Sequence, residues 1–410
     1  MRILLLITKS PWPPNDGGRL AVFELLRALA DAGHELRLLA PETWPASRLA
    51  EAGAALSPLC EAELLPLPRL TWWRAALNSL RQRSSLTLAR HTRPELALRL
   101  TQLIEDWKPQ VVHVEQLQAW VNSAPAKGRV PRLLRLQNIE SALWAAPDAS
   151  LHGRVMGQLL RREGARVAAD EDSALAEADR ALAITPADRE RLRQRVSAAA
   201  AERLTCLAPA FPAQLPAGPE QPGTPALVLF GSSDWHPNRR AAAWFLREVW
   251  PVLHRALPAA RLHVFALPFR SMPGVHLHAP PTDSLQAFPA NAIALIPLWI
   301  GSGIRMRILE AWARGLPVVA STTAARGLDA VDGEQLLLAD SPTEYVQAVR
   351  RLGADPALRA RLVEAGRRHL HERHDPATVA AELLGHYHAA IATAQAHDRC
   401  PAVTDGEGRD

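Results

Sequence analysis

Three observations predict an α/β chain of two Rossmann-like halves. Residues 1–40 run strand, turn-rich loop, helix, strand, and a second such half opens at residue 226. Between them, residues 207–225 are proline-dense and carry no periodicity, which reads as a linker. Late in the chain, residues 293–320 form a strand, glycine loop, helix, strand unit. With 410 residues there is room for two domains with full cores. The division is an N-terminal half over 1–210, a linker over 211–225, a C-terminal half over 226–375, a helix over 376–395 and a disordered tail over 396–410.

In order, 1–8 is a buried parallel strand, because Leu4–Ile7 is apolar yet meets Lys9 and Pro11 too soon for a signal peptide. Residues 11–18 are a turn-rich loop, 19–32 an amphipathic helix closed by Gly33, and 34–40 the next strand. This opening lacks a tight Gly-x-Gly-x-x-Gly, which argues against dinucleotide binding. Residues 69–93 carry six arginines, Trp72, Trp73 and no acid, the composition of an interfacial segment against anionic lipid. Residues 109–114 form a strand with Glu115 and Gln116 at its carboxyl end, and His113 within it reads as a satisfied core histidine. Residues 132–136 and 180–185 are further strands around a charged helix over 161–178, and Thr185 caps the helix after them. In the second half, 226–230 is a strand, 231–238 its loop and 239–257 its helix, with Pro251 as a kink or break.

The unit at 293–320 carries the chemistry. Residues 293–298 are short, apolar and uncharged, then Gly301 and Gly303 break the strand. A helix follows over 305–314, closed by Gly315 and Pro317. A glycine loop at a helix N-terminus brings bare amides and the positive dipole end to an anion. Arg305 and Arg307 add positive charge where the dipole alone disfavours it, which suits a bound diphosphate. Glu310, further along the helix, can accept from the paired hydroxyls of a ribose.

The run Gly301-Ser302-Gly303-Ile304-Arg305-Met306-Arg307-Ile308-Leu309-Glu310-Ala311 resembles the nucleotide-sugar motif of GT-B glycosyltransferases of the family-4 type. It is most similar to the bacterial polysaccharide branch, which reads Gly-x-Gly-x-Arg-x-Lys-x-Leu-Glu-Ala. The wider family places a glutamate where this chain has Ser302, and Glu310 matches the second of its two glutamates. The loop Pro11–Gly18 resembles the family's first-strand loop, implying that Gly17, Gly18 and Arg19 face donor phosphate and acceptor. Gln137-Asn138-Ile139-Glu140 is similar to the family's His-Asn-x-Glu, with Gln137 replacing the histidine; glutamine hydrogen-bonds a hydroxyl but carries no proton near neutral pH. Phe230-Gly231-Ser232-Ser233 resembles the start of the branch's C-domain, implying phosphate donors at Gly231, Ser232 and Ser233, without the broader family's arginine and lysine there.

The resemblance implies a GT-B fold, with parallel sheets facing a central cleft, and retaining transfer of a sugar from a nucleotide-diphosphate donor to a hydroxyl acceptor. The donor is a substrate, and neither cofactor nor metal is expected. Catalytic positions would be Gln137, Asn138, Glu140 and Arg305; donor binding would fall to Gly17, Gly18, Arg19, Gly231, Ser232, Ser233, Gly301, Ser302, Gly303, Ile304, Arg305, Arg307 and Glu310. The acceptor would be a saccharide or a lipid-linked group in cell-envelope or exopolysaccharide synthesis. Ser302 and Gln137 motivate an alternative from another class, a weak or inactive GT-B subunit that binds nucleotide sugar or scaffolds a complex. A nucleotide-sugar epimerase of similar fold is a third. Net charge of +5 does not demand nucleic acid, and three cysteines without metal or redox spacing suit a reducing cytoplasm. Location would be cytoplasmic, with residues 69–93 as a contact to the inner membrane face.

Overall fold

The computed structural model describes residues 1–144, 154–231, 236–265, 269–270, 272–281 and 283–399. The N-lobe sheet contains β1 (Arg2–Leu6), β2 (Glu35–Glu42), β3 (Glu61–Pro66), β4 (Val111–Glu115), β5 (Arg132–Leu136), β6 (Arg180–Ala183) and β7 (Leu204–Cys206). The C-lobe sheet contains β8 (Ala226–Phe230), β9 (Arg261–Phe265), β10 (Val275–His278), β11 (Ala292–Ile296), β12 (Val318–Ala320) and β13 (Leu337–Leu338). Strand order is β3-β2-β1-β4-β5-β6-β7 in one and β10-β9-β8-β11-β12-β13 in the other. All the pairings are parallel; Leu5, for example, sits between Leu38 and His113. This is the two-Rossmann architecture of the GT-B fold.

Period-two burial explains why these apolar runs make central strands. Ile3 and Leu5 enter one N-lobe core, Leu4 and Leu6 the opposite one. In the C-lobe, Ile293 and Leu295 face one core while Ala294 and Ile296 face the other. The second of these cores also takes in Leu20 and Ala21 from the N-lobe helix Gly17–Asp31, so apolar packing joins the lobes directly.

Two local features follow from proline. Pro251 has no N–H to give, and the helix it interrupts opens into a π-helical turn over Phe245–Val249 before resuming at Trp250–Ala256. The linker is strapped down: Leu215 N donates to Ala313 O at 2.9 Å and Gly218 N to Phe288 O at 2.8 Å. The helix Pro376–Arg399 returns to the N-lobe, burying Val379, Ala380, Leu383 and Tyr387 in its core. The expected tail over 396–410 falls from residue 400 onward outside the described residues.

Candidate functional site

In each sheet the order reverses beside the first strand, between β1 and β4 and between β8 and β11. Open parallel sheets bind ligands beyond the carboxyl ends of strands at such points. Here the two points meet. Gly17, at the start of the N-lobe's first helix, lies so close to the C-lobe that an added Cβ would stand 3.5 Å from Met306 Cβ. Arg307 Nη2 donates to Asn15 O at 2.6 Å. Ile139 N donates to Ser302 Oγ at 2.7 Å, and Gly303 N to Asp188 Oδ2 at 2.8 Å.

The glycines are there for geometry. Gly301 and Gly303 have φ of 133° and 73°. A Cβ on Gly303 would lie 2.2 Å from Gln137 O, and one on Gly301 2.8 Å from Arg305 Nη2. The helix Met306–Ala313 that follows is anchored from behind by Trp312, whose Nε1 donates to Gln335 O at 3.0 Å and whose ring fills the space a Cβ on Gly366 would need.

Arg305 stands at the N-cap and folds over its own loop, donating to Ser302 O. Desolvation pulls its pKa down to about 10 against the opposing pull of Asp188. Glu310 is fully buried and does not present a free carboxylate. Oε2 takes a hydrogen bond from Arg307, and Oε1 takes two from Arg314, at 3.2 and 3.1 Å. Arg307 is likewise not a free cation: it bonds Asn15 and Glu310, and its guanidinium lies 3.9 Å from the Phe230 ring centroid. In this state the expected ribose acceptor, Glu310, and one of the two expected diphosphate cations, Arg307, hold each other. Ile304 contributes its side chain to the core, leaving its backbone to the loop.

On the N-lobe side, Gly18 gives room to Gln137, whose Oε1 would stand 3.2 Å from an added Cβ. Gln137 belongs to a continuous buried chain. Tyr387 OH meets His113 Nδ1 at 2.7 Å, and His113 Nε2 meets Glu115 Oε2 at 2.8 Å. Glu115 Oε1 accepts from Arg135 at 3.0 Å and from Gln137 Nε2 at 2.9 Å. Gln116 Nε2 donates to Gln137 Oε1, and Thr8 Oγ1 to Gln116 Oε1, both at 2.8 Å. Burial opposes the Glu115 charge, but Arg135, His113 and Gln137 together hold its carboxyl below the usual range. The amide of Gln137 is therefore fixed in direction by its neighbours. The Asn138 side-chain nitrogen, in the orientation its neighbours require, donates to Ser302 O at 2.8 Å and reaches across to the C-lobe.

Glu140 opens the helix Glu140–Trp144, and its N donates to Glu171 Oε1 at 2.9 Å. Desolvation, with Glu171 adding to it and Gln118 opposing, pushes its carboxyl up to about 7. Arg19 pins its own loop: it donates to Trp12 O at 3.2 Å, pairs with Asp16 and Glu42, and stacks on Trp44. Gly231 accommodates the Asn238 side chain, 2.8 Å from where a Cβ would be. Ser232 and Ser233 lie outside the described residues.

Sequence reading missed Asp188 and Arg314. Asp188 lies in the first turn of the helix Pro186–Arg193, and its contact with residue 303 has no local signal. Arg314 follows Glu310 at i,i+4, the spacing of a helical ion pair, and that signal was available.

Facing parallel-sheet lobes with a glycine loop at their junction define the GT-B class. Two family descriptions match, "Glycosyl transferase 4-like domain" over residues 16–210 and "Glycosyl transferase-like" over 239–385. The chain belongs to the GT-B glycosyltransferases of the family-4-like group. Among solved structures it is similar to sucrose-phosphate synthase from Thermosynechococcus elongatus, with TM-score 0.71, 17% identity, and 96% of this chain and 100% of that one covered. It is similar to Anabaena HepE in complex with UDP-glucose, with TM-score 0.62, 16% identity and coverage of 94% and 100%. A variant of S. aureus TarM in complex with UDP gives TM-score 0.65, 9% identity and coverage of 94% and 100%. A curated Xenopus tropicalis protein, glycosyltransferase 1 domain-containing protein 1, is 30% identical over 94 residues, 23% of this chain. The chain spans 27% of the length of that relative in the match.

Proposed function

We propose that this protein transfers a sugar from a nucleotide-diphosphate donor to a hydroxyl acceptor, with retention of anomeric configuration. The observation that carries the reading is the meeting of the Gly301–Gly303 loop with the Gln137–Asn138 segment at the switch points of two parallel sheets. HepE and TarM, of like fold, have been seen with UDP-glucose and UDP. In this reading the leaving diphosphate takes the Gly303 amide and the Arg305 guanidinium, displacing Asp188 and opening the loop. Glu310 exchanges an arginine for ribose hydroxyls. Gln137 and Asn138 hold the sugar and acceptor by hydrogen bonds. No cofactor is invoked, since the protein's own cations meet the charge.

We further propose that the enzyme works at the cytoplasmic membrane face in polysaccharide assembly, with a saccharide or lipid-linked acceptor. Among the described residues no helix is long and apolar enough to cross a membrane. What supports surface contact is the helix Trp72–Gln82, with Trp72 80% and Leu80 71% exposed beside Arg74 and Arg81. Binding to anionic vesicles, lost in a Trp72→Ala/Trp73→Ala variant, is the expected outcome.

The saturated ion pairs of Glu310 favour one other reading, a nucleotide-binding subunit that does not turn over. Release of UDP from UDP-sugars by the pure protein, abolished by Glu310→Ala and by Arg305→Ala, separates the two. Nucleotide binding with no release or transfer under any donor tried would favour the inactive subunit.

A further inference from the structure

A cavity of about 900 Å³ lies in the N-lobe beside the segment that touches the glycine loop. Ile139, Ala142 and Trp144 give it an apolar wall; Arg161, Arg191 and Arg195 give it positive charge. Each side comes from a different element, so no single stretch of sequence announces it.

The charge is not evenly spent. Arg195 is neutralised, with Glu171 and Asp172 both at 2.8 Å, and it ties Ser141 Oγ at 2.9 Å. Among the described residues, Arg161 and Arg191 have no ion-pair partner. Helix Arg154–Glu177 is what aims Arg161. Its residues 161, 164, 165 and 168 follow helical spacing and line the cavity. The opposite face uses Glu163 and Asp170 to bind the backbone of Thr87 and Ser85, at 2.8 and 2.7 Å. The helix is thus locked by its acids on one side and presents an arginine on the other. Gly164 lets it approach Trp144, whose Cβ would be 3.0 Å from an added Cβ.

Two guanidinium groups without an ion-pair partner among the described residues, beside a tryptophan and aliphatic wall, suit a molecule with a phosphorylated end and an apolar or saccharide body. Ile139 belongs to the cavity and its own amide bonds Ser302, so one wall of the cavity is part of the lobe contact. We propose that this cavity binds the phosphorylated portion of the acceptor and holds the rest of that molecule toward the gap between the lobes. The inference rests on the glycosyl-transfer reading for the word acceptor, and on the cavity alone for the phosphate.

The experiment is calorimetry with geranyl diphosphate, inorganic pyrophosphate and geraniol, with and without saturating UDP. Wild type should bind at least one diphosphate probe with UDP present, and Arg161→Ala/Arg191→Ala should weaken that binding about tenfold or more. Arg161→Lys/Arg191→Lys should retain most of it, and Ala165→Glu, which sets an anion on the same face, should lose it. All these positions are solvent-facing, and equal melting curves will show that the variants fold. Tighter binding of geranyl diphosphate than of pyrophosphate identifies a lipid-linked source; equal binding identifies phosphate alone. Either supports the site if the arginine pair controls it. Equal affinity in wild type and the double-alanine variant, or no diphosphate binding by wild type, overturns it. Failure to bind UDP would refute the donor reading and leave the titrations without UDP to judge the cavity.

Discussion

Replacing Asp188 by alanine should tighten binding of a nucleoside diphosphate. Asp188 is buried, its Oδ2 takes the Gly303 amide at 2.8 Å, and it draws on the charge of Arg305. On the proposed reading a carboxylate therefore sits where a phosphate oxygen would arrive, and a bound donor would displace it. A hydrogen bond to a charged acceptor contributes about 1.5–3 kcal/mol, so its removal should favour the diphosphate by roughly ten- to a hundredfold in Kd. Asp188→Asn keeps a neutral acceptor and should fall between wild type and Asp188→Ala. The assay is isothermal titration with UDP, at one ionic strength for all three proteins. The same substitution should lower the melting temperature of the unliganded protein, since it also breaks a bond between lobes. Unchanged or weaker UDP binding by a folded Asp188→Ala variant would refute the argument that the loop closes on a stand-in anion.

Gly303→Ala should damage both the fold and the site: a left-handed φ costs a non-glycine residue about 1–2 kcal/mol, and its Cβ would collide with Gln137 O. A lower melting temperature and lost nucleotide binding are the expected readouts. Tyr387→Phe leaves His113 Nδ1 buried without its partner and should cost about 1–3 kcal/mol in denaturant unfolding. Glu140 gives a pH test. Its carboxyl is raised from 4.5 to about 7, so between those values the folded form keeps a proton that the unfolded form has lost. Stability from this group is fully present below the lower value and falls as pH rises through the upper one. Glu140→Gln should flatten that decline in melting temperature between pH 4.5 and about pH 7.

Much of the fold was legible because buried parallel strands leave short, uncharged runs, as at Leu4–Ile7 and residues 293–298. The glycine loop was legible because Gly301, Gly303 and Gly315 mark backbone that other residues avoid. The partners of the site were not. Asp188 meets Gly303 from 115 positions away, and Tyr387 meets His113 across 274. Such contacts are set by how the lobes dock and where the C-terminal helix returns, which no local pattern encodes. Arg19 shows the same limit: a cation at a helix N-terminus suits a phosphate by sequence alone, while its contacts to Glu42 and the loop carbonyls appear only in the fold. Arg161 and Arg191 stand on separate helices and converge only once residues 161–168 and 186–193 are packed.

The claim on which everything else depends is that the Gly301–Gly303 loop with Arg305 receives a diphosphate from the gap between the lobes. Titration of wild type and Arg305→Ala with a panel of nucleoside diphosphates tests it most directly. Saturable binding of at least one of them by wild type is expected, weakened about tenfold or more by Arg305→Ala. A well-folded wild-type protein that binds none of the panel, or an Arg305→Ala variant that binds as tightly as wild type, would contradict it.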